Sequence, residues 1–158
     1  MTQINEPTDI ATDEILPLTV DRIRTLWSKT YNPAGKPDWS HIFPYYADDI
    51  VFQDSIQKVE GFDNFKAMCQ RLTKRCKSLK MDIHNLIQSD NVVLMEWTMT
   101  MSFRRSPTTE MYGATRLTLN EAGIITHQRD YYDLWGDIFN NVPVWRRMYR
   151  WFMRKFFG

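Results

Sequence analysis

The sequence predicts an α+β domain in which helices come first and pack on one face of an antiparallel sheet. Three observations carry this expectation. Apolar residues recur at three-to-four spacing as far as about Cys76. From Leu79 onward they alternate with polar residues, the period of a half-buried strand. Three long strand-like runs then follow one another with short connections, the arrangement of a meander. A chain of 158 residues defaults to one domain and can bury roughly two-thirds of its unfolded surface.

Residues 1–15 are polar and expected to be flexible. Leu16-Pro17-Leu18-Thr19 leads into a first helix, with Val20, Ile23, Leu26, Trp27 and Tyr31 on one stripe and Asp21 in its first turn. Asn32 to Pro37 breaks it, and Asp38 can cap a short second helix carrying Trp39, Ile42, Phe43 and Tyr46. Ile50 to Asp54 reads as a strand ending in an acid, and Gln57 to Glu60 as a short return strand before Gly61. A third helix follows from about Phe62 to Cys76, its apolar side formed by Phe65, Met68, Cys69, Leu72 and Cys76. Its opposite side, with Lys66, Arg71, Lys74 and Arg75, reads as a solvated face.

Met81, Ile83, Leu86 and Ile87 suggest a strand ended by Ser89-Asp90-Asn91. Val92 to Arg104, Glu110 to Asn120 and Ile124 to Trp135 are the three long strands. Gly123 suits the left-handed position of a three-residue turn over Glu121-Ala122-Gly123. That turn, run out as a regular ladder, sets Arg116 opposite Gln128, Ala114 opposite Asp130 and Tyr112 opposite Tyr132.

Composition narrows the function classes. Hydrophobic residues at 43% and aromatics at 14% describe a packed core. A formal net charge of +1 gives no field toward nucleic acid, and none is expected as a partner. Cys69 and Cys76 lie two helical turns apart, about 10 Å, too far for a disulfide within a helix. Buried thiols, an acidic N-terminus without an apolar signal segment, and no run near the ~20 residues of a membrane span make a cytoplasmic protein the expectation. His41, His84 and His127 fall at no metal-ligand spacing, and there is no Gly-rich phosphate loop, so neither a metal nor another cofactor is expected.

The order and spacing of several short runs resemble the nuclear transport factor 2-like superfamily, specifically its SnoaL-like branch. The runs are Tyr45-Tyr46-Ala47-Asp48-Asp49-Ile50-Val51-Phe52-Gln53-Asp54, Gly61, Leu94-Met95-Glu96-Trp97, Gly113 and Arg129-Asp130-Tyr131-Tyr132-Asp133. The resemblance implies a cone: a strongly curved antiparallel or mixed sheet wrapped around the N-terminal helices, with a deep apolar pocket. It places the cone over residues 16–136 and implies a homodimer, through the outer sheet face with Arg129 and Tyr131. The branch includes limonene-epoxide hydrolases, ketosteroid isomerases and polyketide cyclases. The hydrolases use an Arg-x-Asp pair, a second Asp, and a Tyr and Asn that hold water. Asp130 matches the second Asp, but the pair falls on Trp97-Thr98-Met99 and the water-holding residues on Phe52 and Asp54. Limonene-type hydrolysis is therefore not expected.

With Asp130 facing inward, strand alternation brings Gln128 and Tyr132 inward too, and the assumed register adds Tyr112 and Arg116. Trp97 and Met99 join from the neighbouring strand, with Phe52 and Asp54 near the pocket. This is a few polar groups in an apolar cavity, the composition of small-molecule sites. Asp130, Asp54 and Tyr132 are the candidate catalytic residues, and Arg116, Tyr112, Trp97, Met99, Gln128 and Phe52 the candidate ligand contacts. In this register Arg116 keeps Asp130 ionised, while burial raises the pKa of Asp54, a pairing suited to acid–base work on a small hydrophobic oxygenated molecule. The alternatives are a structural Arg116–Asp130 ion pair, and a binder of lipid-like molecules without turnover. Residues 137–158 are set apart as a basic aromatic helix, with Asn141 as cap and Pro143 in its first turn. Trp145, Met148, Tyr149, Phe152 and Phe156 share one side, and Arg146, Arg147, Arg150 and Arg154 the other. Such a helix closes the cone, packs on a second copy, or lies on a membrane surface.

Overall fold

A computed structural model describes residues 16–104, 108–138 and 142–158. The expected flexibility of residues 1–15 concerns residues outside that description. Helix α1 (Val20–Tyr31) starts where Thr19 accepts a hydrogen bond from the Arg22 amide and buries Ile23, Trp27, Thr30 and Tyr31. The expected second helix is instead two 3-10 turns, Trp39–His41 and Phe43–Tyr45. Asp38 caps the first as anticipated; Pro44, which has no N–H, falls in the second, and the chain becomes extended at Tyr46.

Strands β1 (Tyr46–Gln53) and β2 (Lys58–Glu60) form a hairpin, and α2 (Phe62–Arg75) follows Gly61. The remaining strands are β3 (Cys76–Ser89), β4 (Val92–Phe103), β5 (Thr109–Leu119) and β6 (Ile125–Tyr132). They make one sheet in the order β2-β1-β6-β5-β4-β3, antiparallel throughout except for the parallel β1–β6 pair. The fold is thus α+β with a mixed sheet, and the meander of β3 to β6 is as the alternation predicts. The last strand stops at Tyr132, short of Trp135, because Asp133 accepts hydrogen bonds from the Trp135 and Gly136 amides and starts a wide π-helical turn over Leu134–Ile138.

One side of the sheet carries the core. Val93, Met95, Trp97, Met99 and Met101 of β4 alternate inward, facing Met111, Thr115, Leu117 and Leu119 of β5. Helix α1 is tied to β3 by Asn32, whose side chain donates to the Met81 carbonyl at 2.9 Å and accepts from the Met81 amide at 3.0 Å. Helix α2 lies against β1 through Phe65, whose ring centroid is 4.7 Å from that of Tyr46 and 5.6 Å from that of Phe52. Extra residues at Lys77 and His84 of β3 and at Thr126 of β6 interrupt the ladders, and such bulges bend and twist a sheet.

The bulge at Thr126 corrects the assumed register. At the turn the ladder begins as expected, with Leu119 opposite Ile125, and Gly123 has a φ of 76°. One residue is then inserted, so His127 pairs with Thr118, Asp130 with Thr115 and Tyr132 with Gly113. A one-residue shift exchanges the faces of a strand relative to its neighbour. Arg116 therefore lies opposite Arg129 on the exposed outer face, and Tyr112 is 58% exposed with its hydroxyl donating to Glu110.

Helix α3 (Pro143–Phe157) is described from its N-cap Val142 onward; the proposed cap Asn141 lies outside the described residues. Both cysteines are buried and unpaired with each other. Among the described residues no helix is long and apolar enough to cross a membrane.

Candidate functional site

The concave side of the sheet and α2 surround a cavity of about 720 Å³. Phe52, Trp97, Met99, Met101 and Met111 supply much of its apolar wall, with Phe65, Met68 and Leu72 from α2. Its polar lining comprises Tyr31, Tyr46, Asp54, Gln57, Thr109, Gln128, Asp130 and Tyr132, with the exposed Arg71 and Arg75 of α2 at its border. Cys69 belongs to the apolar part, since burial pushes its thiol up to about 12 and keeps it protonated.

Asp130 is brought inward by the parity of β6, together with the buried Gln128. Thr115 donates its hydroxyl to Asp130 Oδ1 at 2.7 Å, and Gln128 donates to Oδ1 and Oδ2 at 3.1 and 3.3 Å. Both donors are held from behind. The Trp97 indole donates to the Thr115 hydroxyl oxygen at 2.9 Å, so the Thr115 proton is left to point at Asp130. Tyr46 donates to the Gln128 side-chain oxygen at 2.6 Å, which turns the amide nitrogen toward Asp130. Among the described residues no cation lies at ion-pair distance from this carboxylate. Burial therefore dominates and pushes the Asp130 carboxyl up to about 6; the bonds from Thr115 and Gln128 oppose the rise and Asp54 adds to it. The expectation of an Asp130 held ionised by Arg116 is reversed by the bulge.

Gly113 is what admits this arrangement. A Cβ there would come within 2.4 and 2.6 Å of the Trp97 ring and 2.8 Å of the Tyr131 carbonyl. The indole thus lies over a bare backbone, at the height that lets its N–H reach Thr115.

Asp54 lies just beyond β1, and its carboxylate is already engaged. Oδ1 accepts the Ile56 and Gln57 amides at 2.8 and 2.7 Å, and Oδ2 accepts the Tyr132 hydroxyl at 3.1 Å. It fastens the tip of β6 to the β1–β2 turn. Tyr132 is thereby committed as a donor, and burial, then Asp54, push its pKa above the usual tyrosine range.

Phe52, Asp54, Trp97, Met99, Gln128, Asp130 and Tyr132 are thus brought together, whereas Arg116 and Tyr112 are not. Sequence alone assigns no site role to Thr115, Tyr46, Tyr31 or Gly113, although Tyr46 and Gly113 stand in the runs that carry the family resemblance. Thr115 was recoverable, because Met111, Leu117 and Leu119 share its parity while Glu110, Tyr112 and Arg116 share the other. Tyr31 belongs to the apolar stripe of α1 and also lines the cavity; burial first, then the charge of Asp130, push its hydroxyl well above the usual range. Among the described residues no three His, Cys, Asp or Glu side chains gather as a metal site.

Helices packed inside a curved mixed sheet, with a part-buried acid on the last strand facing a hydrophobic hollow, define an α+β cone protein. The family comparison agrees: the SnoaL-like domain model matches residues 25–128, and the chain belongs to that family. No curated protein matches it in sequence. Among solved structures it is similar to an LEH-like epoxide hydrolase of M. tuberculosis, with 17% identity and a TM-score of 0.64 over 78% of this chain and 89% of that one. It is similar to a ketosteroid isomerase-like protein from Catenulispora acidiphila crystallised with trimethylamine, at 17% identity and TM-score 0.66 over 78% and 93% of the two chains. A putative SnoaL-like polyketide cyclase from Shewanella denitrificans aligns at 19% identity and TM-score 0.60, over 68% and 86%. At such identities the likeness is one of fold.

Proposed function

We propose that the cavity takes up a small hydrophobic oxygenated molecule and that Asp130 moves a proton on it without a cofactor. The observation that carries this reading is a carboxylate that lines the cavity and is held, among the described residues, only by the neutral donors Thr115 and Gln128, so that burial pushes it up to about 6. A base whose pKa lies near the working pH combines a useful ionised fraction with a real affinity for the proton. In the simplest form, Asp130 takes a proton from the carbon beside a ketone, the Tyr31 hydroxyl donates a hydrogen bond to the enolate oxygen, and Asp130 returns the proton to the same or a vinylogous carbon. This is the chemistry of an isomerase or cyclase; a hydrolase would apply the same carboxylate to a water. Trp97, Met99 and Phe52 supply the apolar contacts, and Gln128 and Thr115 hold the carboxylate in place. Asp54 acts as a positioning residue through Tyr132, and Arg116 and Tyr112 leave the ligand set.

The test is exchange of α-protons for deuterium in a panel of hydrophobic ketones, followed by proton NMR. Wild-type protein is expected to speed exchange, with a rate rising as pH passes through about 6. Asp130→Asn should lower it by roughly 10²-fold or more while the same ketones still raise the melting temperature. A second reading, uptake of an apolar ligand without turnover, is favoured by the predominantly apolar wall. It gains if ketones stabilise both proteins and neither exchanges protons.

A further inference from the structure

We propose that α3 is a docking element for an anionic membrane surface, lying in the headgroup plane beside the Val142 edge of the cavity. The helix has fifteen residues and buries none of them. At 100° per residue, Trp145, Met148, Tyr149, Phe152 and Phe156 fall on one side, and Arg146, Arg147, Arg150 and Arg154 on the other. Exposure of the apolar side is high: Met148 is 54%, Phe152 46% and Phe156 59% accessible. Trp151 lies at the border between the two sides, 58% exposed, where an amphipathic ring suits the headgroup level. The helix is not adrift from the body, because Tyr149 stacks on Trp135 with ring centroids 6.4 Å apart and 19° between planes. Its N-cap, Val142, itself lines the cavity.

Charge decides among occupants. The stretch from Pro143 to Gly158 holds five bases and no acid, the last acid before it being Asp137. A second α3 laid against this one would set five bases beside five bases. Anionic phospholipid headgroups offer the complementary charge, while the acyl boundary accepts the aromatic side. One surface thus satisfies both sides of the helix. Seated there, the protein holds the Val142 edge of its cavity at the bilayer, so the ligand class becomes apolar molecules dissolved in lipid. That last step rests on the cavity being a ligand site; the docking itself does not.

Flotation of the full chain with phosphatidylcholine–phosphatidylglycerol vesicles tests the docking, with phosphatidylcholine vesicles as the uncharged arm. Wild-type protein is expected to float with the mixed vesicles, to be released by high salt, and to float poorly with phosphatidylcholine alone. Arg146→Glu combined with Arg147→Glu and Arg154→Glu should weaken binding to mixed vesicles by roughly tenfold or more. Phe152→Ser with Phe156→Ser should weaken it too while the melting temperature is unchanged. Equal flotation by wild type and both variants, or none by wild type, overturns the proposal. So does a solution dimer that the Phe152/Phe156 variant dissociates, which would give the apolar side to a second copy. So does charge-dependent binding to RNA without binding to vesicles. Ketone-dependent stabilisation of Asp130→Asn is read separately, so a failed cavity and a failed docking helix remain distinguishable.

Discussion

Asp130 is a part-buried acid whose hydrogen-bond donors, Thr115 and Gln128, are uncharged. In the unfolded chain an aspartate titrates near ~3.9, and in the fold this one titrates at about 6. Between those values the folded state holds the additional proton. Its contribution to stability is therefore full below pH ~4, is lost as pH rises through about 6, and stays lost above. The difference between the two values corresponds to at most ~3 kcal/mol, less where cavity water screens the charge. Denaturant unfolding of wild type and Asp130→Asn across this range should show that component in the first and not in the second. Parallel profiles would mean that Asp130 is well solvated in the fold. Thr115→Val makes the complementary change: it removes the hydroxyl donor from Asp130 and leaves the Trp97 N–H without its acceptor. The expected outcome is a destabilisation of about 1–3 kcal/mol, with the midpoint of any pH–rate profile moving upward because a bond favouring the ionised form is gone.

At the scale of elements, the β5–β6 pair decides what the site contains. Most of the architecture was legible because long alternating runs leave little freedom: Val92 to Phe103 can bury Val93, Met95, Trp97, Met99 and Met101 only as a strand. The inward turn of Asp130, Gln128 and Tyr132 follows from the same parity. What was not legible was the single extra residue at Thr126, since a bulge changes no composition and leaves the flanking alternation looking regular. Its effect was out of proportion to its size, replacing Arg116 by Thr115 beside Asp130 and so reversing the sign of the electrostatic argument. The helical turns around Pro44 and the π-helical turn after Asp133 were missed for a related reason, being decided by local hydrogen bonds rather than by periodicity. Gly113 offers the test of this layer. Gly113→Ala puts a methyl group where the Trp97 ring already lies, with the Tyr131 carbonyl closing the other side. Overpacking of this kind costs about 1–3 kcal/mol or more. The melting temperature should fall and the near-ultraviolet dichroism of the tryptophans should change; an unaltered spectrum would show that the ring can yield, and that the close approach is not required.

The whole molecule sets a curved sheet against helices that do not fill its hollow. Trp27, Ile50, Val93, Met95 and Leu117 pack to near-zero exposure at one end, while Leu79, Met99, Met101, Met111 and Phe103 line space at the other. Methionine suits such a wall, being flexible enough to accept ligands of different outline. An unfilled apolar hollow also means that burial is forgone, at roughly 25 cal/mol for each Å² that a larger side chain could cover. Stability and binding should therefore respond to filling in opposite directions. Met99→Trp, which extends an indole from β4 into the cavity, is expected to leave the melting temperature unchanged or higher while weakening uptake of apolar ketones by about tenfold, or ~1.4 kcal/mol. Thermal melts with and without ligand measure both. If the site is in fact closely packed in solution, the indole will act as an overpacked core residue and lower the melting temperature by several degrees. The sign of that shift separates a cavity kept open for a ligand from a cone that fills itself.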